Sequence, residues 1–123
     1  MKKDILDCAP IINIIPANKN VLDLGSGGGF PGILLAITKP NNKITLLESS
    51  RKKCYFLKLV VEALELKNTT ILNTTITKTN KIGVFDIITA RAFASINKII
   101  KLTQQNKTTT TKYILLKGKE QKI

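Results

Sequence analysis

Five apolar runs punctuate the chain: 20–24 (NVLDL), 43–48 (KITLLE), 69–73 (TTILN), 84–89 (VFDIIT) and 113–117 (YILLK). Each is short and nearly continuous in its apolar character, the pattern of a strand covered on both faces rather than one. Between them lie stretches of helical period. The first, 31–38, is opened by Pro31, a residue tolerated in a first turn. The second spans 51–66 behind a capping Ser50, with Cys54, Leu57, Val61 and Leu64 recurring at helical spacing. The third runs from about 95 to 105 and is expected to bury Ile96, Ile99 and Ile100 on one side. The polar stretch QQNKTTTTK before the last run is expected to be a loop, and no internal repeat is present.

This alternation predicts a single α/β domain over 1–123, a doubly wound and mostly parallel sheet in the order 3-2-1-4-5. Ligands of such sheets bind at the carboxyl ends of the strands, beside strand 1. There the sequence reads VLDLGSGGGFPGILLAI, with Gly25, Gly27, Gly28 and Gly29 crowded behind Asp23. Main chain stripped of side chains lets a ligand lie directly against it. The dinucleotide fingerprint G-x-G-x-x-G fits Gly25 and Gly27 but meets Phe30 at its third position. The stretch fits D-x-G-x-G-x-G better, the form common among enzymes that bind S-adenosylmethionine. Glu48, at the end of the second strand, can accept both hydroxyls of a ribose, whether that ribose belongs to S-adenosylmethionine or to NAD.

The 123 residues carry 20 Lys and Arg against 8 Asp and Glu, a net charge of +12. Such an excess suits an anionic partner such as nucleic acid. All but two of the cations are lysine, however, in a chain rich in Ile, Asn and Thr, a bias that an AT-rich genome also produces. No apolar run approaches the roughly 20 residues of a membrane span. The start, MKKDILDCAPIINIIP, has two lysines before apolar residues, but Asp7, Pro10 and Asn13 interrupt it and no cleavage site follows, so a cytoplasmic chain is expected. Cys8 and Cys54 without any histidine predict neither a zinc site nor a disulfide.

The blocks ILDCAPII, VLDLGSGGGFPGILLAI, LLESSRKKCYFLKLV, FDIITARAFASINKII and YILLKG together resemble the bacterial small-subunit ribosomal RNA methyltransferase G family, also called glucose-inhibited division protein B. GSGGGFPG and ARAFAS are its most specific parts. The resemblance implies a Rossmann-like class I S-adenosylmethionine-dependent methyltransferase fold. It also implies methyl transfer to the seventh nitrogen of a guanine in 16S ribosomal RNA. Carried onto this chain, it implies cofactor contacts at Gly25, Gly27 and Phe30, at Glu48, Ser49 and Ser50, at Ile76 and Thr77, and at Arg91. Thr75-Ile76-Thr77 departs from the Arg-x-Glu usual in the family, and Asp4 stands where histidine is common. The family also has a helical segment before the equivalent of Asp4 and two strands after that of Gly118. Five of seven strands are therefore expected here, with the fifth an open edge that a second chain could complete.

Transfer to that nitrogen needs no histidine. Guanine N7 is an unprotonated acceptor on the base edge, and alignment in a dry pocket suffices. Arg91 offers a planar fork for a carboxylate, phosphate or guanine edge. Lys117 is placed for an RNA phosphate or for solvent, and Arg51, Lys52 and Lys53 in one first turn either invite an anion or form a solvated face. Cys54, Phe56 and the leucines behind them are expected in the core, while Phe93 could pack by the cofactor or under the next helix. Two other functions fit some of these residues: a non-catalytic RNA-binding remnant and, with less support, a nicotinamide-dependent oxidoreductase.

Overall fold

A computed structural model describes residues 13–25, 31–91 and 96–116. Gly27, Phe30, Phe93 and Lys117, the Cys8 thiol and the side chain of Arg91 lie outside the described residues. Five parallel strands, β1 (Asn20–Leu24), β2 (Lys43–Leu47), β3 (Thr69–Leu72), β4 (Phe85–Arg91) and β5 (Lys107–Leu116), form one sheet in the order β3-β2-β1-β4-β5. This is the expected doubly wound order. β1 sits at its centre, which is why four of its five residues are buried.

Alternate residues of each strand feed two apolar layers. On one face Val21, Ile44, Leu46 and Ile87 meet Ile33, Leu35 and Ala36 of α1 (Gly32–Thr38) and Leu57 of α2 (Arg51–Ala63). On the other, Leu22, Leu24, Leu47, Ile88 and Ala90 meet Ile76 and Ile99, the latter on α3 (Ile96–Leu102). Ser50 caps α2 as expected, its side chain accepting from the Lys53 N–H at 3.2 Å.

Three expectations need correction. β5 begins at Lys107, not at 113, and the polar stretch before it is a short 3-10 helix (Gln104–Asn106) followed by strand. β-branched threonines suit an extended chain. The register nevertheless jumps, Phe85 facing Lys107 while Ile87 faces Lys112, so residues 108–111 form a bulge. Thr111 Oγ1 donates to the Phe85 carbonyl at 2.7 Å and accepts from the Thr108 N–H at 2.8 Å, satisfying groups that the ladder misses there. Second, α2 stops at Ala63. Glu65 turns left-handed (φ 53°), its N–H bonds the Glu62 carbonyl and that of Leu66 bonds Val61, a Schellman ending without glycine to announce it. Third, the helices bury fewer apolar residues than expected: α2 buries only Cys54 and Leu57, leaving Phe56, Leu59 and, just past its end, Leu64 about half exposed, and α3 buries Ile99 but leaves Ile96 exposed.

Candidate cofactor site at the carboxyl ends of the strands

Asp23 is the one acid inside β1, and it is buried. A carboxylate there is tolerable only with hydrogen-bond donors around it. In-register pairing sets Asp23 beside Thr89 of β4, whose hydroxyl donates to Asp23 Oδ1 at 2.8 Å. Oδ2 accepts the Gly32 N–H at 3.0 Å, fastening the first residue of α1 to the middle of the sheet. That approach requires glycine, because a Cβ on Gly32 would collide with the Leu46 Cδ2 and stand 2.6 Å from Asp23 Oδ2. The close packing that a dinucleotide fingerprint assigns to its third glycine is thus supplied here two residues past Phe30.

Gly25 leaves β1 with φ 64° and donates its N–H to the Leu47 carbonyl at 2.8 Å. Among the described residues nothing lies within 4 Å of where its side chain would be. Beside it lies a cavity of about 200 Å³, walled by Leu24, Gly25, Leu47 and Ser49 on one side and by Thr74, Thr75, Ile76 and Leu102 on the other. Three residues singled out from the sequence, Gly25, Ser49 and Ile76, thereby meet around one space.

Glu48 is buried at the end of β2, directly before Ser49. Its Oε2 accepts the Ser50 N–H at 2.8 Å, and its carbonyl accepts from the Cys54 thiol at 3.2 Å and from Asn73 Nδ2 at 3.0 Å. Asn73 Nδ2 also reaches the Ser49 carbonyl at 2.9 Å, so β3 braces the turn that leaves β2. Burial raises the Cys54 pKa, and the neighbouring Glu48 raises it further.

Thr77 does not wall the cavity. Its N–H donates to Asn80 Oδ1 at 2.9 Å and its hydroxyl accepts the Asn80 N–H at 3.2 Å. Asn80 Nδ2 donates to the Thr75 carbonyl at 2.9 Å, closing the loop that presents Thr75 and Ile76. Arg91 ends β4 opposite Leu116. Arg51, Lys52 and Lys53 are exposed around the first turn of α2. The tie through Asp23, Thr89 and Gly32 and the braces at Asn73 and Asn80 went unread in the sequence. An acid embedded in an apolar strand was the available signal for the first.

Among the described residues no cluster of acidic, cysteine or histidine side chains could hold a metal ion, and no helix is long and apolar enough to cross a membrane.

The family described as rRNA small subunit methyltransferase G matches residues 1–123. The chain belongs to this family. Its relatives include the ribosomal RNA small subunit methyltransferase G of Ruthia magnifica subsp. Calyptogena magnifica, 36% identical over 116 residues, which make up 94% of this chain and 57% of that protein. The Mycoplasma capricolum protein of the same name is 43% identical over 102 residues, 82% of this chain and 44% of that protein. The chain thus spans about half the length of the curated relatives it matches. Among solved structures, coclaurine N-methyltransferase bound to N-methylheliamine and SAH superposes with a TM-score of 0.75 at 17% identity, covering 85% of this chain and 33% of that one. An S-adenosylmethionine-dependent methyltransferase from Thiobacillus denitrificans in complex with S-adenosyl-L-homocysteine gives 0.71 at 18% identity, covering 89% and 47%. The chain therefore has the class I methyltransferase fold that the family resemblance implied.

Proposed function

We propose that this chain provides the S-adenosylmethionine-binding layer of a methyltransferase acting on the seventh nitrogen of a guanine in 16S ribosomal RNA. The observation that carries the reading is the cavity at the carboxyl ends of β1 and β2, where Gly25 leaves room for a ligand against bare main chain. The residues around it fit an adenosine-bearing ligand. Leu24, Leu47, Ile76 and Leu102 offer apolar walls for a purine. Glu48 does not line the cavity; it lies buried between Leu47 and Ser49, which do, and is the proposed carboxylate for the ribose hydroxyls. Ser49 adds a hydroxyl at the same rim, and Thr77 holds the Ile76 loop through Asn80. Gly27, Phe30, Ser50 and Arg91 complete the proposed contact set on the strength of the family resemblance.

When bound, S-adenosylmethionine supplies an activated methyl group on a positively charged sulfur. The acceptor nitrogen carries a lone pair and no proton, so the chain needs no general base. Its task is to orient the two partners and keep water out. The excess of lysine supplies attraction for the RNA phosphates, and such a substrate places the protein in the cytoplasm.

Parallel calorimetric titrations with S-adenosylmethionine and NAD test the cofactor, and small-subunit RNA offered with methyl-labelled cofactor tests the reaction. We expect S-adenosylmethionine to bind and the label to appear on a guanine N7. Binding of NAD alone would end the methyltransferase reading. RNA binding without label transfer would leave a non-catalytic RNA-binding chain.

A further inference from the structure

Thr89 touches neither the cavity nor the surface. It is fully buried, and its hydroxyl points at Asp23 Oδ1. A carboxylate in a strand can swing about its own axis, and a donor on one oxygen fixes where the other oxygen aims. The second oxygen here accepts from the N–H of Gly32, the first residue of α1. Gly25, just past β1, is held separately, its N–H donating to the Leu47 carbonyl. Gly25 and Gly32 are thereby both fastened to the sheet, Gly25 from β2 and Gly32 through Asp23, which Thr89 of β4 contacts.

We propose that Thr89 is a positioning residue for cofactor binding, acting through Asp23 to set where α1 begins relative to Gly25 and the cavity beside it. The inference rests on the S-adenosylmethionine reading of the cavity and deepens it. Thr89 reaches no ligand itself. Its effect travels through two hydrogen bonds, 2.8 and 3.0 Å long, to the main chain of Gly32.

The test compares S-adenosyl-L-homocysteine binding by the native full chain with binding by Thr89→Val and Thr89→Ser, well below each melting temperature. Valine keeps the shape of the side chain without its hydroxyl, and serine keeps the hydroxyl. We expect Thr89→Val to raise Kd at least about tenfold and to shift the Gly32 amide resonance upfield, since it loses part of a charge-assisted bond. Thr89→Ser should restore both readouts. A folded Thr89→Val variant that binds as the native chain does, or a Thr89→Ser variant no better than valine, overturns the positioning role. Failure of the native chain to bind at all overturns the cofactor reading, and the positioning role with it. Should valine prevent folding, Gly32 amide exchange in the native chain decides: saturating ligand slows it at least about tenfold if tie and seat are coupled, and an unchanged rate refutes the coupling.

Discussion

Glu48 already holds the Ser50 N–H with one carboxylate oxygen, and that bond keeps the residue facing the end of β2 rather than solvent. Replacing it by alanine should weaken S-adenosyl-L-homocysteine binding by roughly 1.5–3 kcal/mol, the usual range for hydrogen bonds to charged groups. Glutamine retains an acceptor for Ser50 and should fall between, both values read by calorimetry. Cys54 gives a prediction of opposite character. Its pKa is raised in the folded chain, first by burial and then by Glu48, so the folded state keeps the thiol proton that the unfolded chain releases. Stability from this group is intact below the unfolded pKa and declines as pH rises past it. In a Cys8→Ser background, alkylation of folded Cys54 at pH 8 should be on the order of tenfold slower than in denaturant, because thiolate is the reacting form. At this scale the sequence disclosed the Ser50 cap and the open Gly25, both carried by local chemistry. It hid Gly32 and Thr89, whose importance comes from a neighbour 9 or 66 residues away.

α1 begins where it does because glycine admits it. Gly32→Ala would press a methyl group against Leu46 and Asp23, both fixed in the middle of the sheet. Overpacking of this kind costs about 1–3 kcal/mol. Thermal unfolding should then occur lower by roughly 4–8 °C for each kcal/mol lost, as for other domains near this size. β1 and β2 were legible as short, mostly apolar runs, and β3, the weaker one, from its β-branched residues. β5 was misjudged at its start because four threonines in a row read as loop by polarity and as strand by β-branching. The bulge opposite Phe85 gives both readings part of the truth. The end of α2 was obscured for another reason. Glu65 takes the left-handed position that glycine usually signals. The apolar face over Phe56 and Leu59 was assigned to the core by hydrophobicity, yet a helix on one face of a sheet buries a single stripe, here Cys54 and Leu57.

At the scale of the molecule, under the proposed function a net charge of +12, carried mostly by lysine, attracts RNA without a preferred sequence. Raising monovalent salt from about 50 to 200 mM should therefore weaken RNA binding at least about tenfold, measured by fluorescence anisotropy, while binding of the small cofactor changes little. The strand order was legible from alternation alone, since right-handed crossovers leave few arrangements for short parallel strands. Order of synthesis adds something that a finished sheet conceals. The bond from Thr89 to Asp23 joins residues 66 positions apart. A ribosome making this chain releases β1, α1 and β2 well before β4, so most of the proposed cofactor site is made before Thr89 is. A chain halted before β4 would keep the partners of Gly25 and Gly32 on β2 and β1 but lack the hydroxyl that turns Asp23 toward Gly32.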